Sequence, residues 1–318
     1  MSASVCPIGT PGEKWGPDEF AAWKNLHSVK RSYHDEVVAK INALGGKGYT
    51  IECYGSLSHD SERYPLYAVS TVSGDNSNKK TVLITGGIHG YETSGVQGAL
   101  RFLETKAEQY RDHFDFIVAP CVSPWGYETI NRWNFDAVDP NRSFKGDGLI
   151  EESRHLLKHL QNHFTNIIAH FDLHETTDTD NTTFRPALAA RDGVFQTNFA
   201  IPDGFYLVGD SLRPQKEFQA AVIRGVSEVT HIAPPDNTGP NPTLNGVPIE
   251  QEGVFFAPAG ELGLCMGLSS QVPGVKFVTT TEVYPDSDRA TDEMCTLAQV
   301  AAVSSGLDYI IREERNQL

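Results

Sequence analysis

The chain has 318 residues, 39% of them hydrophobic and 21% charged, a composition that excludes a disordered chain and suits a globular enzyme. Lys and Arg number 26 against 41 Asp and Glu, a formal charge of −15. That argues against a nucleic-acid partner, because phosphate binding needs clustered cations, but leaves an anionic small substrate open, because arginines inside a pocket act at close range while distant charge is screened.

The first twelve residues carry neither a basic start nor an apolar core, and no stretch approaches the roughly 18 apolar residues of a membrane span. The expectation is a cytoplasmic protein without a membrane partner. Cys6, Cys53, Cys121, Cys265 and Cys295 are odd in number and lack CxxC spacing, so free thiols are expected. A first helix is predicted over 17–44, where Tyr33, Val37, Ile41 and Leu44 recur at helical spacing and Gly45-Gly46 end it. Strands near 48–54 and 64–72 follow, then a turn at 74–78 and a strand over 80–85. Helices near 92–109, 150–163, 215–229 and 290–311 then alternate with strands near 116–119, 167–171, 205–208 and 275–283. Alternation with near-continuous apolar strands predicts an α/β fold, a mixed and largely parallel sheet flanked by helices on both faces. No linker marks a boundary, so one domain over 1–318 is expected, with the helix and strands of 1–75 packed on it.

Residues 86–92 read Gly-Gly-Ile-His-Gly-Tyr-Glu, directly behind the apolar run Thr81-Val82-Leu83-Ile84. A strand delivering His89 and Glu92 into a glycine-flanked turn can present both to one metal ion. A zinc hydrolase takes three protein ligands and leaves a fourth position for water, and His174, in Phe171-Asp172-Leu173-His174-Glu175, is the expected third. His89, His174 and Glu282 all fall at or just after strand ends, where open α/β sheets bind their ligands. His170 shares the strand face of His174 and reads as a core or supporting histidine. His155, His159 and His163 read as one polar helix face, and Asp178 and Asp180 as solvated loop acids rather than ligands of a second metal.

These segments resemble the zinc carboxypeptidase (M14) family, with some features of its succinylglutamate desuccinylase and aspartoacylase relatives. The likeness is carried by Gly87-Ile88-His89-Gly90-Tyr91-Glu92, Arg132-Trp133-Asn134, Val138-Asp139-Pro140-Asn141-Arg142-Ser143-Phe144, Asp172-Leu173-His174 and Thr281-Glu282-Val283. It implies a three-layer fold around one Zn2+ ion held by His89, Glu92 and His174. It further implies that Asn141 and Arg142 hold a substrate's free carboxylate by paired guanidinium donors. Arg132 is then expected to stabilise the oxyanion, and Asp139 to fix the tautomer of His89. Glu282 is implied as general base for a metal-activated water, with Glu261 and then Glu175 as rivals.

The activity implied is a metallocarboxypeptidase cleaving the C-terminal amide of a peptide. The alternatives are an N-acyl amino acid deacylase with the same machinery and an inactive binding protein on the same scaffold. A serine hydrolase is disfavoured because no Gly-x-Ser-x-Gly occurs. The short interval from Glu92 to His174 leans toward the compact branches of the family, and no tyrosine falls between Tyr206 and Tyr284 to act as the mobile tyrosine of digestive-type members. The specificity pocket is expected from residues of about 235–275.

Overall fold

Strand β3 (Lys80–Gly86) is buried at every position after Lys80, and β4 (Phe114–Ala119) throughout. Apolar runs of this kind belong in the middle of a sheet covered on both faces. The computed structural model describes residues 6–10, 12–71, 79–144, 150–163, 166–197, 200–237, 239–257 and 274–316. The sheet also contains β1 (Thr50–Ser56), β2 (Pro65–Ser70), β5 (Ile167–Glu175), β6 (Tyr206–Asp210), β9 (Val254–Ala257) and β10 (Phe277–Val283). β7 (Thr243–Leu244) and β8 (Val247–Pro248) form a separate small hairpin. The eight strands run in the order β1-β2-β4-β3-β5-β10-β6-β9. The inner four, β4-β3-β5-β10, are parallel; β2 and β6 pair with them antiparallel, β1 pairs antiparallel with β2, and β9 pairs parallel with β6. The mixed, mostly parallel sheet with helices on both faces is therefore as the sequence implies.

Alternation along each strand divides the core into two layers. Val82, Ile84, Phe116 and Val118 face one side, where α3 (Thr93–Thr105), α7 (Lys216–Val226) and α8 (Asp292–Asn316) cover them. Leu83, Ile117 and Val278 face the other, packed on Leu156, Leu157 and Leu160 of α5 (Glu151–His163). Helix α8 is long and apolar enough to cross a membrane, with mean hydropathy 1.3 over its most apolar window, yet 56% of that window is buried inside the molecule. That is the condition of a core helix.

The helix expected over 17–44 is interrupted. α1 (Pro17–Leu26) stops at His27, whose backbone is extended, and helical structure resumes at His34 as a π turn leading into α2 (Ala39–Ala43). Between them Lys30 and Arg31 donate their backbone N–H groups to Glu128 O, and the Arg31 side chain reaches Gly90, Thr93 and Tyr127. Shorter elements that were not anticipated include α4 (Pro124–Thr129), α6 (Arg185–Asp192), the hairpin β7–β8 and the edge strand β9. The expected turn at 74–78 lies outside the described residues.

Candidate metal centre

The turn behind β3 is held by two backbone requirements. Gly87 has φ +59, in the left-handed region. Gly90 presses on the backbone of α4, where a Cβ would stand 2.0 Å from Tyr127 N. Arg31 locks the turn from outside. Its Nε donates to Tyr127 O at 2.6 Å, Nη1 to Thr93 Oγ1 at 2.6 Å and Nη2 to Gly90 O at 2.9 Å, and its guanidinium lies 3.6 Å from the Tyr127 ring centre. No pattern in the sequence singles out this arginine.

The turn delivers His89 and Glu92, and the carboxyl end of β5 delivers His174. All three are buried, and their ligand atoms lie within 4.8 Å of one another. His89 Nδ1 is 2.7 Å from Glu92 Oε1, and His174 Nδ1 is 2.8 Å from Glu92 Oε2. The outer nitrogens are both taken. His89 Nε2 donates to Asp139 Oδ1 at 2.9 Å and His174 Nε2 to Asp172 Oδ2 at 2.9 Å. Both rings are thus oriented by a carboxylate so that Nδ1 faces inward, the arrangement that prepares histidines for a metal. Glu92 Oε2 is buried and accepts no well-formed hydrogen bond. Burial alone would raise the Glu92 carboxyl, but the two imidazoles overcome it and bring the group to about 2. A permanent carboxylate with an unsatisfied oxygen, facing two oriented imidazoles, is a donor set that fits zinc.

Asp172 joins a longer chain. Its Oδ1 accepts from Thr85 Oγ1 at 2.6 Å, and that hydroxyl lies 2.8 Å from His170 Nε2. Burial pushes His170 down to about 4, so it is a neutral core histidine behind the site. The polar face expected of His155, His159 and His163 is not what forms. His159 is buried and stacks on Tyr54, with ring centres 5.2 Å apart, because α5 turns that side toward β1; the side chain of His163 is outside the described residues.

Residues 131–142 form a loop tied by its own asparagines. Asn131 Oδ1 accepts from Trp133 N, and Asn134 Oδ1 accepts from Asp136 N and Val138 N. Arg132 donates from Nε to Asp139 Oδ2 at 3.3 Å, from Nη1 to Asp180 Oδ1 at 3.2 Å and to Tyr91 OH at 3.3 Å. Its Nη2 has no partner among the described residues. Asp180 is therefore not the solvated acid expected from sequence. It is buried, accepts from Tyr91 OH at 2.9 Å and Thr177 N at 3.0 Å, and anchors Arg132; Asp178 is exposed. Asn141 donates its backbone N–H to Asp139 Oδ1 at 2.9 Å. Arg142 is exposed; its backbone N–H donates to Asp139 O at 3.2 Å, and its guanidinium makes no hydrogen bond or ion pair among the described residues.

Glu282 lies on β10 directly opposite His174 in the parallel ladder. Thr176 Oγ1 donates to Glu282 Oε2 at 2.9 Å and stands 2.6 Å from Tyr206 OH. Burial, aided by the charge of Glu92 and opposed by His174, pushes the Glu282 carboxyl up to about 7. Glu175 is occupied elsewhere, since its Oε1 accepts from Ser94 N at 2.5 Å at the start of α3. Glu261, and the part of the expected specificity pocket over 258–273, lie outside the described residues. A cavity of about 650 Å³ is lined by Tyr91, Arg132, Glu175 and Thr177 among others; none of His89, Glu92, His174, Glu282, Asn141 and Arg142 lines it.

A mixed, mostly parallel sheet that brings a His/Glu/His cluster to the carboxyl ends of its strands presents a candidate metal site. Residues 56–174 match the zinc carboxypeptidase (Peptidase_M14) family model, so this part of the chain is similar to that family. Among curated proteins the chain is similar to probable carboxypeptidase 2 of Arthroderma benhamiae, 27% identical over 187 residues, 52% of this chain. A carboxypeptidase 2 of Trichophyton tonsurans matches over the same length at 26%. The chain spans about a third of the length of these relatives, 34% in each case. Among solved structures, a Shewanella amazonensis protein superposes with a TM-score of 0.63 at 20% identity, covering 89% of this chain and 98% of its own. A metallo-carboxypeptidase of Burkholderia cenocepacia gives 0.59 at 14% identity, covering 86% and 68%. At these identities the structural matches establish the fold.

Proposed function

We propose that the protein is a zinc metallocarboxypeptidase that hydrolyses the amide bond next to a free C-terminal carboxylate. One observation carries the reading: two inward-facing Nδ1 atoms converge on Glu92, each imidazole braced by its own aspartate, with Glu282 across the ladder from His174. A zinc ion held by His89, Glu92 and His174 supplies Lewis-acid polarisation of a carbonyl and lowers the pKa of water toward about 7.

The chain's own groups do the rest. Glu282 is held through Oε2 by Thr176, while Oε1 has no partner among the described residues and is placed to take a proton from the attacking water and return it to the leaving amine. Arg132, clamped by Asp139, Asp180 and Tyr91, offers Nη2 to the developing oxyanion. The exposed guanidinium of Arg142, beside Asn141, receives the substrate's carboxylate.

The test combines metal quantification with a substrate panel of peptides, acetylated and succinylated amino acids. Zinc near one equivalent and turnover of peptides with free, but not amidated, C-termini are expected. Faster turnover of simple acylated amino acids than of any peptide would replace this reading by the deacylase one, and absence of both activities in zinc-loaded protein would leave a binding protein. Glu282→Gln is expected to keep its zinc and lose about 10²–10⁴-fold in kcat.

A further inference from the structure

β10 carries three consecutive buried threonines, Thr279, Thr280 and Thr281, in the middle of the sheet. Valine has nearly the same shape there and needs no partner, so buried hydroxyls at these positions call for an explanation. Two of them are answered by fully buried glutamines, one from α7 and one from α8. Thr279 Oγ1 donates to Gln219 Oε1 at 2.8 Å, and Gln219 Nε2 donates to Val278 O at 2.9 Å. Thr281 Oγ1 donates to Gln299 Oε1. Gln299 Nε2 donates to His174 O at 2.9 Å and lies 3.5 Å from Ser94 Oγ.

The two glutamines differ in what they join. Both amide contacts of Gln219 fall on β10, and among the described residues its side chain bonds neither β5 nor α3. Gln299 instead meets three pieces of the site: β10 one residue before Glu282, the carbonyl of His174 on β5, and α3 two residues after Glu92. Helix α3 comes this close because residue 98 is glycine; a Cβ there would stand 2.4 Å from Gln299 Cβ. In the ladder Thr281 faces Leu173 and Glu282 faces His174, so the Gln299 amide bridges the two strands at the step where ligand and base emerge.

Stability alone does not ask for such a bridge. Replacing both members of a buried polar pair by apolar groups of the same shape can be nearly neutral, whereas a satisfied polar network fixes one arrangement. Position matters here, because a displacement of about 1 Å in a reacting group can cost about 10²-fold in rate.

We propose that Gln299 is a positioning residue for the hydrolysis: its amide sets the separation of His174, and so of the ion, from the Glu282 carboxylate, while Gln219 only anchors β10 to α7. The assignment rests on the carboxypeptidase reading for the role of Glu282 and on the hydrogen bonds alone for the link to His174.

The experiment compares Gln299→Met with Gln219→Met, and Thr281→Val with Thr279→Val, in the zinc-loaded full chain. The two glutamine variants lose equivalent bonds, so similar falls in Tm are expected. Gln299→Met is expected to lower kcat on a peptide substrate about tenfold, short of the loss from a full ångström, with KM little changed. It is also expected to weaken zinc severalfold in competition with a chromogenic chelator. Gln219→Met is expected to leave kcat and zinc affinity near native. Thr281→Val deletes one hydroxyl without touching α8, so it serves even if Gln299→Met fails to fold; a kcat severalfold lower is expected, against no change for Thr279→Val. Equal kcat in the two glutamine variants, or a native kcat in Thr281→Val, overturns the inference and leaves the carboxypeptidase reading standing. If the native protein hydrolyses no peptide, that reading fails by itself and zinc affinity decides the rest. Weakening in Gln299→Met but not in Gln219→Met then sustains the link to His174, and equal affinities overturn it.

Discussion

His89 and His174 depend on carboxylates for their orientation, and the two aspartates differ in how they are themselves held. Asp139 is shared with Arg132 and the backbone N–H of Asn141, whereas Asp172 relies on Thr85. Asp172→Asn keeps the shape and removes the charge that orients His174. It is expected to weaken zinc binding about 10–100-fold, read by competition with a chromogenic chelator; undiminished affinity would show that the ring needs no such partner. Glu152 has no such function. It is buried, its carboxyl accepts from Asn134 Nδ2 at 3.3 Å, and burial pushes that carboxyl up to about 7. The folded chain therefore holds this proton more tightly than the unfolded chain, and stability falls as pH climbs from about 4.5 to about 7. Glu152→Gln removes the penalty, so it is expected to raise stability at pH 8 by up to about 3 kcal/mol. The gain should fade toward pH 4.5, as thermal melts across that range would report, and a gain independent of pH contradicts the assignment.

The turn after β3 shows what can be read from sequence and what cannot. An apolar run entering Gly-Gly-x-His-x-x-Glu is a local pattern, and the element it implies forms where expected, as do the strands that end in His174 and Glu282. The break in the first helix is not local. Tyr33, Val37, Ile41 and Leu44 keep their helical spacing, but residues 27–33 leave the helix because Arg31 is needed at Gly90, Thr93 and Tyr127, groups far away in the chain. Asp180 was misread for the same reason: nothing near it in sequence announces that Tyr91 and Arg132 will close over it. Thr176 and Tyr206, which hold Glu282, were likewise invisible, since their pairing exists only once β5, β10 and β6 lie side by side. Arg31→Ala is expected to loosen the turn, raising zinc dissociation about tenfold or more by analogy with other residues that support ligands from behind, while Glu282 and its partners stay in place. Chelator-chase kinetics measure this, and an unchanged off-rate would reduce Arg31 to a structural staple.

In the molecule as a whole, an ion that binds the folded chain and not the unfolded one must add to stability, by about 2.7 kcal/mol at a hundred times its Kd. Stripping the metal is expected to lower Tm, and one equivalent of zinc to restore it; a Tm indifferent to chelator would mean that the cluster at residues 89, 92 and 174 is empty in solution. The order of the strands has a further consequence. Everything that would grip the ion lies between residues 89 and 174, whereas the carboxylate that would handle protons arrives with β10, near residue 282, and meets the rest through the ladder to β5 and the Thr176 hydrogen bond. Capture of the cation and competence for turnover are thus separable in the covalent structure. Disturbances along that one seam should yield molecules that hold zinc and do nothing with it.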